Sequence, residues 1–270
     1  MSAAATTGVQ RKFASKGALF RHVEQLWKQG KLYDLNDPHP RIKGVFAGSA
    51  DRYCEIAFLL QDFDKVLDVG SGSGLLLSIL ANLGHQCWAL DLRDSHDLPS
   101  TYKRGPVTYA TCNVEVDPYP FPDAFFNAVT CCQVMEHFSH SPLAALGEMK
   151  RILRPGGRLE IDVPNVASFR NRMRIIRGKN ITWDYREHYV HAKPLFHKGH
   201  SFYPFRHNRE FTKAELHDLL SECGFLDVNV RFLKDRNYRT SLKRFLSVGT
   251  GVRNLIPSWR KSLIAHATKG

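Results

Sequence analysis

The sequence has no long apolar run and no paired cysteines, and both absences narrow the class of protein. No stretch of its 270 residues approaches the roughly 18 uninterrupted apolar residues of a membrane-spanning helix. The six cysteines are scattered without a C-x-x-C pair. This argues against a disulfide framework or a zinc ribbon and predicts small buried side chains in a reducing compartment. Residues 1–8 are small and polar, so we expect no signal peptide and a cytoplasmic location.

Acidic residues are scarce in the second half of the chain. Residues 1–150 carry 14 Lys or Arg against 16 Asp or Glu, whereas residues 151–270 carry 24 against 10. A strongly basic half predicts an anionic partner, which can be phosphate or diphosphate groups, nucleic acid or an acidic membrane. A basic surface that only keeps the protein soluble is the alternative, and the composition leaves both interpretations open.

The most informative stretch is K-V-L-D-V-G-S-G-S-G at residues 65–74. Its apolar start is typical of a buried parallel strand, and glycines then occupy every second position of a turn. Residues 75–81 follow with a helical pattern. Glycines let a backbone pass close to a ligand, and a helix N-terminus offers free N–H groups. The strand, turn and helix therefore predict a nucleotide-binding unit.

Strands and helices alternate through the rest of the chain. Strands are predicted at 65–69, 86–90, 107–111, 126–132, 158–163 and 262–268, and helices at 75–83, 142–153 and 213–223. This alternation predicts a doubly wound α/β fold whose ligand lies at the carboxyl ends of the strands. Asp91 ends the second strand, about twenty residues past the turn, where a carboxylate can accept both ribose hydroxyls.

Three segments add specific motifs to this pattern. Asp68 precedes the glycine turn, F-P-D-A-F-F-N-A-V begins a segment at 121–137 that ends in E-H, and E-M-K-R-I-L-R-P-G-G-R-L fills 148–159. Together they resemble class I S-adenosylmethionine-dependent methyltransferases, with Asn127 where the family usually has Asp. The resemblance is continuous over 65–165 and returns at 207–225. It implies a seven-stranded, mostly parallel, Rossmann-like sheet with N-terminal helices and an insertion after strand 5.

The resemblance implies S-adenosylmethionine as the cofactor. Asn113 follows the third strand, where the family places an acidic or amide residue that reads the adenine amine, and the next residue, Val114, would pack on the ring. For Asn113, a role as a turn former is the alternative. The predicted cofactor-binding residues are Asp68, Gly70, Ser71, Gly72, Gly74, Asp91, Leu92, Asn113, Val114 and Gln133.

The predicted catalytic residues are His137, His207 and Glu136. Methyl transfer is an in-line displacement, so the enzyme supplies alignment and, for a hydroxyl acceptor, a base. The resemblance places the reactive methyl near the end of the fourth strand, and His137 is the predicted base because imidazole titrates near neutrality. Alternatively, His137 only packs at a helix start. Glu136 could instead bond backbone N–H groups or join a metal site, as in some lipid O-methyltransferases; we expect no metal.

Residues 166–210 are predicted to be an insertion that holds the acceptor. Five of the thirteen histidines lie here among aromatic residues, at positions 188, 191, 197, 200 and 207. A zinc site is one interpretation, but the spacing fits no ligand pattern and no cysteine is near. We favour an acceptor pocket, with Arg209, Tyr189 and His188 binding the acceptor. For His207 and Arg209, capping and docking of the following helix is the alternative.

We expect a helical cap at 1–64, opened by a disordered lead over 1–15, and a methyltransferase domain at 65–270. The predicted activity is methylation of a hydroxyl on a small molecule, such as an anionic sugar, glycan or lipid intermediate. The alternatives are an RNA methyltransferase and an inactive cofactor-binding partner subunit. C-Q-V-M at 132–135 differs from the N/D-P-P-Y/F motif of base-amine methyltransferases, so nucleic acid is the less favoured partner.

Two stretches, 169–177 and 239–261, mix apolar and cationic residues. They predict contact with an anionic membrane or with a lipid diphosphate, and hence a peripheral position at a membrane. Ordinary helices with solvated basic faces are the alternative.

Overall fold

The protein is described by a computed structural model that covers residues 10–34, 42–93, 98–182, 185–234 and 255–270. Its helices are Lys16–Lys28 (α1), Ile42–Leu59 (α2), Leu75–Asn82 (α3), Leu143–Ile152 (α4), Phe169–Ile176 (α5) and Lys213–Glu222 (α6). Its strands are Lys65–Val69 (β1), Gln86–Asp91 (β2), Val107–Thr111 (β3), Phe126–Cys132 (β4), Leu153–Pro164 (β5), Leu195–His197 (β6), His200–Phe202 (β7), Phe225–Phe232 (β8) and Ser262–Lys269 (β9).

Seven of these strands form one sheet in the order β3-β2-β1-β4-β5-β9-β8. β1 pairs with β2 and β2 with β3 in parallel, whereas β9 is antiparallel to both β5 and β8. The predicted seven-stranded, mostly parallel α/β fold is confirmed, and the strand predicted at 262–268 is present as the antiparallel β9. The remaining strands, β6 and β7, form a separate hairpin within the predicted insertion.

The chain divides into two compact units. The N-terminal unit comprises Met1–Val114, Tyr119–Thr130 and Ile152–Gly157, and the C-terminal unit comprises Glu115–Pro118, Cys131–Arg151 and Arg158–Gly270. The domain boundary predicted at residue 64 stays a prediction.

Apolar burial organises the N-terminal unit. Val66, Leu67 and Val69 of β1 are fully buried, and the apolar run that opens α3 is buried as well. α1 begins at the N-cap Ser15, whose side chain accepts a hydrogen bond from the Ala18 N–H. Cys54, Cys87 and Cys112 of this unit are buried and form no disulfide, as expected of small apolar side chains.

The expectation of a disordered lead is wrong for residues 10–15. The Gln10 side-chain amide donates to the Phe63 carbonyl (2.8 Å), the Arg11 N–H to the Leu83 carbonyl (2.9 Å) and the Phe13 N–H to Gln61 Oε1 (3.1 Å). These partners lie some fifty or more residues further along the chain, so the local composition could not reveal them. The earlier part of the predicted lead lies outside the described residues.

The Pro-Gly-Gly segment also differs from the prediction. α4 ends at Ile152 and β5 begins at Leu153, so the segment lies inside the strand and does not precede it. The Ile152 carbonyl accepts a hydrogen bond from the Phe125 N–H (2.8 Å), which holds the chain at the point where the helix ends.

The C-terminal unit contains α6, whose N-terminus is a capping box. Thr212 Oγ1 accepts from the Glu215 N–H (3.2 Å), and Glu215 Oε2 accepts from the Thr212 N–H (2.8 Å).

In the described part of the chain, no helix combines the length and the apolarity needed to cross a membrane. Most of the basic stretch at 239–261 lies outside the described residues.

Candidate functional site

The glycine turn after β1 has a backbone that other residues would adopt only with strain. Gly70, Gly72 and Gly74 have φ angles of 70°, 52° and 66°. A Cβ on Gly72 would have the Gly70 carbonyl oxygen as its nearest neighbour at 3.8 Å, so this face of the turn is open. A Cβ on Gly74 would lie 2.6 Å from the Tyr102 ring. The absence of a side chain at Gly72 thus leaves space for a ligand, whereas at Gly74 it allows the Tyr102 ring to pack against the backbone.

Two residues that the sequence analysis missed brace this turn. The Tyr102 hydroxyl lies 2.8 Å from Ser71 Oγ, to which it donates, and 3.2 Å from the Gly72 carbonyl oxygen. The Thr101 hydroxyl donates to the Ser73 carbonyl. Both are buried in the loop between β2 and β3. The sequence feature that could have pointed to this contact is an aromatic residue, Tyr102, in an otherwise polar segment.

Asp91 lies directly against the turn. Its Oδ2 accepts a hydrogen bond from the Gly72 N–H (2.6 Å), and its Oδ1 accepts from the Arg93 N–H (3.2 Å). Each carboxylate oxygen can accept more than one hydrogen bond. The carboxylate therefore fixes the turn and can still receive hydroxyl donors, as the predicted ribose contact requires.

Asp68 is buried at the end of β1, and its Oδ1 accepts from the Thr130 hydroxyl at 2.6 Å. Burial raises the pKa of Asp68 to about 7, and the negative charge of Asp91 acts in the same direction, while the Thr130 hydrogen bond opposes them. Thr130 was not identified from the sequence, because a threonine inside an apolar strand has no distinctive pattern.

The residues after β3 complete this region of the N-terminal unit. β3 pairs with β2 so that Thr111 lies opposite Asp91, and Asn113 is buried just beyond it. The Val114 carbonyl accepts from the Tyr119 hydroxyl (2.9 Å). The predicted Asp91 and Asn113 thus follow neighbouring strand ends, while Leu92, next to Asp91, is half-buried.

In the C-terminal unit, Gln133 is held in an unusual backbone conformation directly after β4. Its φ is 57°, a left-handed value that is uncommon outside glycine and often marks functional sites. The Gln133 N–H donates to the Asp162 carbonyl (2.7 Å), and its side-chain amide donates to Asp162 Oδ2 (3.1 Å). The sequence analysis did not anticipate Asp162 as this anchor, although a carboxylate in an apolar strand was the available signal.

Glu136, His137 and His207 lie together, and we call them the Glu136–His137–His207 cluster. Their potential ligand atoms all lie within 4.8 Å of one another, and the two imidazole rings meet edge-to-face with centroids 4.8 Å apart. Glu136 is fully buried. The predicted catalytic residues are therefore brought together from positions about seventy residues apart.

The hydrogen bond made by His137 determines its tautomer. His137 Nδ1 lies 3.0 Å from the Arg206 carbonyl oxygen. Because a carbonyl oxygen only accepts, Nδ1 carries the proton and Nε2 keeps its lone pair. Burial lowers the pKa of His137 to about 4, and positive charge on His207 and His188 would lower it further, while the Arg206 bond opposes this. His137 is therefore neutral at physiological pH.

Backbone hydrogen bonds fix the segment 206–209 against the cluster. The Glu136 carbonyl accepts from the Asn208 N–H (2.7 Å) and from the Arg209 N–H (3.2 Å), and the Asn208 side-chain amide donates to the His137 carbonyl (2.9 Å). Asn208 was not identified from the sequence. These bonds explain how His207 reaches His137.

The three predicted acceptor-binding residues all have structural contacts. The Tyr189 hydroxyl donates to the His207 carbonyl, and the His188 carbonyl accepts from Arg206 Nε (3.1 Å). Arg209 pairs with Glu215 at 2.7 Å, which fits the alternative of helix docking. Their role in binding an acceptor stays a prediction.

The histidines of the insertion have different surroundings. His207 belongs to the cluster, whereas His197 pairs with Asp117 (2.7 Å). The His200 ring faces His140 at 5.6 Å, and His140 in turn contacts Glu115 (2.6 Å). Among the described residues, the histidines of the insertion therefore do not gather into one group, and His207 alone joins Glu136 and His137.

The cluster has donors that suit a metal ion. Among the described residues it is the one group of three His, Cys, Asp or Glu side chains arranged to hold such an ion. A carboxylate and two imidazoles fit a borderline divalent cation, and an Nδ1–H bonded to a carbonyl is the usual support of a metal-binding histidine. The prediction that no metal takes part stays a prediction.

Comparison with known proteins identifies the family. Residues 45–230 match the model of a methyltransferase domain. The chain is 37% identical over 108 residues to a ubiquinone biosynthesis O-methyltransferase of Xanthomonas oryzae, covering 37% of this chain and 43% of that protein. It is 34% identical over 157 residues to a ubiquinone/menaquinone biosynthesis C-methyltransferase of Cupriavidus taiwanensis, covering 53% and 63%. These alignments span less than two thirds of either relative.

Solved structures support the same fold. A putative methyltransferase of Haloferax volcanii, solved with the activator Trm112, aligns with a TM-score of 0.53 at 17% identity, covering 84% of this chain and 94% of that one. A methyltransferase of Thermotoga maritima, described as a possible histamine N-methyltransferase, aligns with a TM-score of 0.52 at 16% identity, covering 95% and 100%.

The chain therefore belongs to the class I S-adenosylmethionine-dependent methyltransferases. Its N-terminal unit fits the cofactor. The open face at Gly72 admits a ligand close to the backbone, and the Asp91 carboxylate beside it can receive ribose hydroxyls.

Proposed function

We propose that this protein transfers a methyl group from S-adenosylmethionine to a hydroxyl of a small molecule, such as a sugar, glycan or lipid intermediate. One observation carries the choice of a hydroxyl acceptor: the tautomer of His137. Its Nδ1 proton is committed to the Arg206 carbonyl at 3.0 Å, so Nε2 offers a lone pair. A hydroxyl acceptor has to lose a proton as the new bond to carbon forms, and a neutral imidazole can take it.

Each group has a defined task in this reaction. When bound, the cofactor supplies an electrophilic methyl on a sulfonium, which leaves as a neutral thioether. An acceptor oxygen forms the bond to the methyl carbon, and its proton passes to His137 Nε2. The Arg206 carbonyl then stabilises the imidazolium by accepting the hydrogen bond from Nδ1–H.

The names of the relatives favour the lipid-intermediate version of the acceptor. One relative is named for O-methylation in ubiquinone biosynthesis and another for C-methylation in ubiquinone or menaquinone biosynthesis. The basic second half of this chain favours an acceptor that carries anionic groups. Methylation of carbon is the second candidate, and it is distinguished by the chemistry of the product.

The test is to incubate the full chain with isotope-labelled S-adenosylmethionine and three cell fractions: polar small molecules, lipids and RNA. Mass spectrometry then locates the label. We expect a labelled O-methyl product in a small-molecule or lipid fraction. His137→Ala should abolish most of it, while the control His191→Ala, which changes an exposed histidine of the predicted insertion at 166–210, should not.

Other outcomes would contradict the proposal. Label in the RNA fraction would indicate an RNA methyltransferase. Cofactor binding without label in any fraction would indicate an inactive cofactor-binding subunit. A C-methyl product would leave the class correct and the acceptor atom wrong.

A further inference from the structure

α5 has an inverted distribution of polar and apolar residues. Its Asn171 is buried, and the side-chain amide donates to Glu210 Oε2 (2.6 Å) and to the Val166 carbonyl (3.0 Å). Its two isoleucines point outward instead, with Ile175 61% exposed and Ile176 74% exposed. A helix that buries an asparagine and exposes adjacent isoleucines has its apolar surface directed at something other than the core.

The segment after α5 makes hydrogen bonds with Arg174, the residue before these isoleucines. Arg174 Nε donates to the Asn180 carbonyl (2.6 Å), and Arg174 Nη2 donates to the Thr182 carbonyl (2.9 Å). The Lys179 N–H donates a hydrogen bond to the Arg174 carbonyl (2.8 Å). The chain therefore folds back over one side of Arg174. We call residues 172–182 the α5 tip.

The charge of this region is of one sign. Residues 169–180 contain five Arg or Lys and no Asp or Glu. Arg172, Arg177 and Lys179 are exposed, and Arg177 directly follows the two isoleucines in sequence. Exposed aliphatic side chains among cations are the composition of surfaces that bind anionic lipid, since the isoleucines enter the interface while the cations meet the headgroups.

We propose that the α5 tip docks on an anionic lipid surface. An RNA surface is less suited to it, because proteins that bind single strands stack bases on aromatic rings, whereas the exposed apolar residues here are aliphatic. This proposal does not rest on the methyl-transfer reaction, since none of the residues of the α5 tip belongs to the Glu136–His137–His207 cluster or to the glycine turn.

The experiment measures sedimentation of the full chain with vesicles of phosphatidylglycerol mixed with phosphatidylcholine, and with vesicles of phosphatidylcholine alone. Ile175→Ser with Ile176→Ser should lower partitioning into the anionic vesicles about tenfold. Arg177→Gln with Lys179→Gln should lower it about fivefold for each cation. The second pair should also flatten the dependence on salt, because charge screening acts on the cations.

A control variant changes an exposed aliphatic residue and an exposed cation elsewhere in the C-terminal unit. Leu143, which is 54% exposed, becomes Ser, and the exposed Lys213 becomes Gln. This control should sediment like the unchanged protein, and circular dichroism and cofactor affinity should be the same for all variants. Because cofactor affinity is measured separately, failure of docking and failure of the proposed reaction are distinguishable.

Three outcomes would overturn the proposal. These are absence of binding to anionic vesicles, equal binding to neutral ones, and tip variants that bind as tightly as the control. Binding of an RNA probe that is lost in the tip variants, without vesicle binding, would assign the surface to nucleic acid.

Discussion

The glycine turn and the Glu136–His137–His207 cluster are built in contrasting ways. The turn is one continuous segment whose shape comes from positive φ angles at Gly70, Gly72 and Gly74. The cluster joins two segments about seventy residues apart in sequence, held by hydrogen bonds from residues 206–209 to Glu136 and His137. A backbone conformation defines the first region, and tertiary contacts define the second.

This contrast predicts different responses to substitution. The turn should be sensitive to any side chain at a positive φ or in the open face, and the effect should fall on cofactor affinity. The cluster should be sensitive to the identity of one imidazole, and the effect should fall on turnover. Four experiments, ordered by expected effect, test this difference.

The largest effect is expected for Gly72→Val, which should abolish measurable cofactor binding. Valine is strained at a φ of 52°, and its side chain would occupy the open face. Calorimetry gives the affinity. Gly156→Val is the matched control, because Gly156 has a φ of 72° with no atom within 4 Å of an added Cβ. If both variants fold and bind alike, the turn is only structural.

His137→Ala should reduce turnover at saturating cofactor by about 10²–10⁴-fold, the usual cost of losing a general base, with little change in cofactor affinity. His207→Ala should act in the same direction, since its ring contacts His137 at 4.8 Å. Steady-state kinetics with the identified acceptor measure both. Losses below tenfold for both variants would point to catalysis by proximity alone, or to a base elsewhere.

Asp91→Ala should weaken cofactor binding by about 1.5–3 kcal/mol, the value of charge-assisted hydrogen bonds. Asp91→Asn separates the contribution of the carboxylate charge from that of the hydrogen bond to the turn. An amide oxygen can still accept from the Gly72 N–H, which donates to Asp91 at 2.6 Å. We expect an intermediate affinity for Asn by calorimetry. Equal affinity of Asp91→Ala and the unchanged protein would contradict the ribose contact.

The last expected effect falls on stability and not on cofactor affinity or turnover: it is a slope in stability against pH at Asp68. Its pKa rises from 3.8 to about 7 on folding, so between these values the folded state binds more protons than the unfolded state. Stability therefore falls as pH rises through this window, by at most about 1.4 kcal/mol per pH unit.

Asp68→Asn removes this titration and keeps an acceptor for Thr130. Its stability relative to the unchanged protein should therefore increase from pH 4 towards about 7 and then level off. Urea unfolding at several pH values measures the difference. The exposed Asp64→Asn serves as control, and a parallel pH curve for Asp68→Asn would show that the group is ionised throughout.

The fold could be predicted because its signals are local. The apolar run of β1, the glycines after it and the helix that follows are contiguous, and the alternation of elements indicates a parallel sheet. The strand boundaries of β1, β3 and β4 match the prediction. The start of β5 and the attachment of residues 10–15 could not be predicted from the sequence, since both depend on hydrogen-bond partners distant in sequence.

The candidate site divides in the same way. Asp91 and Gly72 could be predicted from spacing alone to lie close together, because the position of a carboxylate after a strand is set by the register of the sheet. Tyr102 and Thr130 were missed, because their hydroxyls act on backbone and carboxylate atoms that only folding brings near.

The sequence by itself determined the family, the sheet and the glycine turn. Sequence motifs and hydrophobic periodicity are properties of consecutive residues, so they can be recognised without the fold. The tertiary structure decided which histidine of the insertion joins His137 and which nitrogen of His137 carries its proton. It also decided that α5 exposes its isoleucines and buries Asn171. Such choices depend on hydrogen-bond partners and burial, and neither is a property of the local sequence.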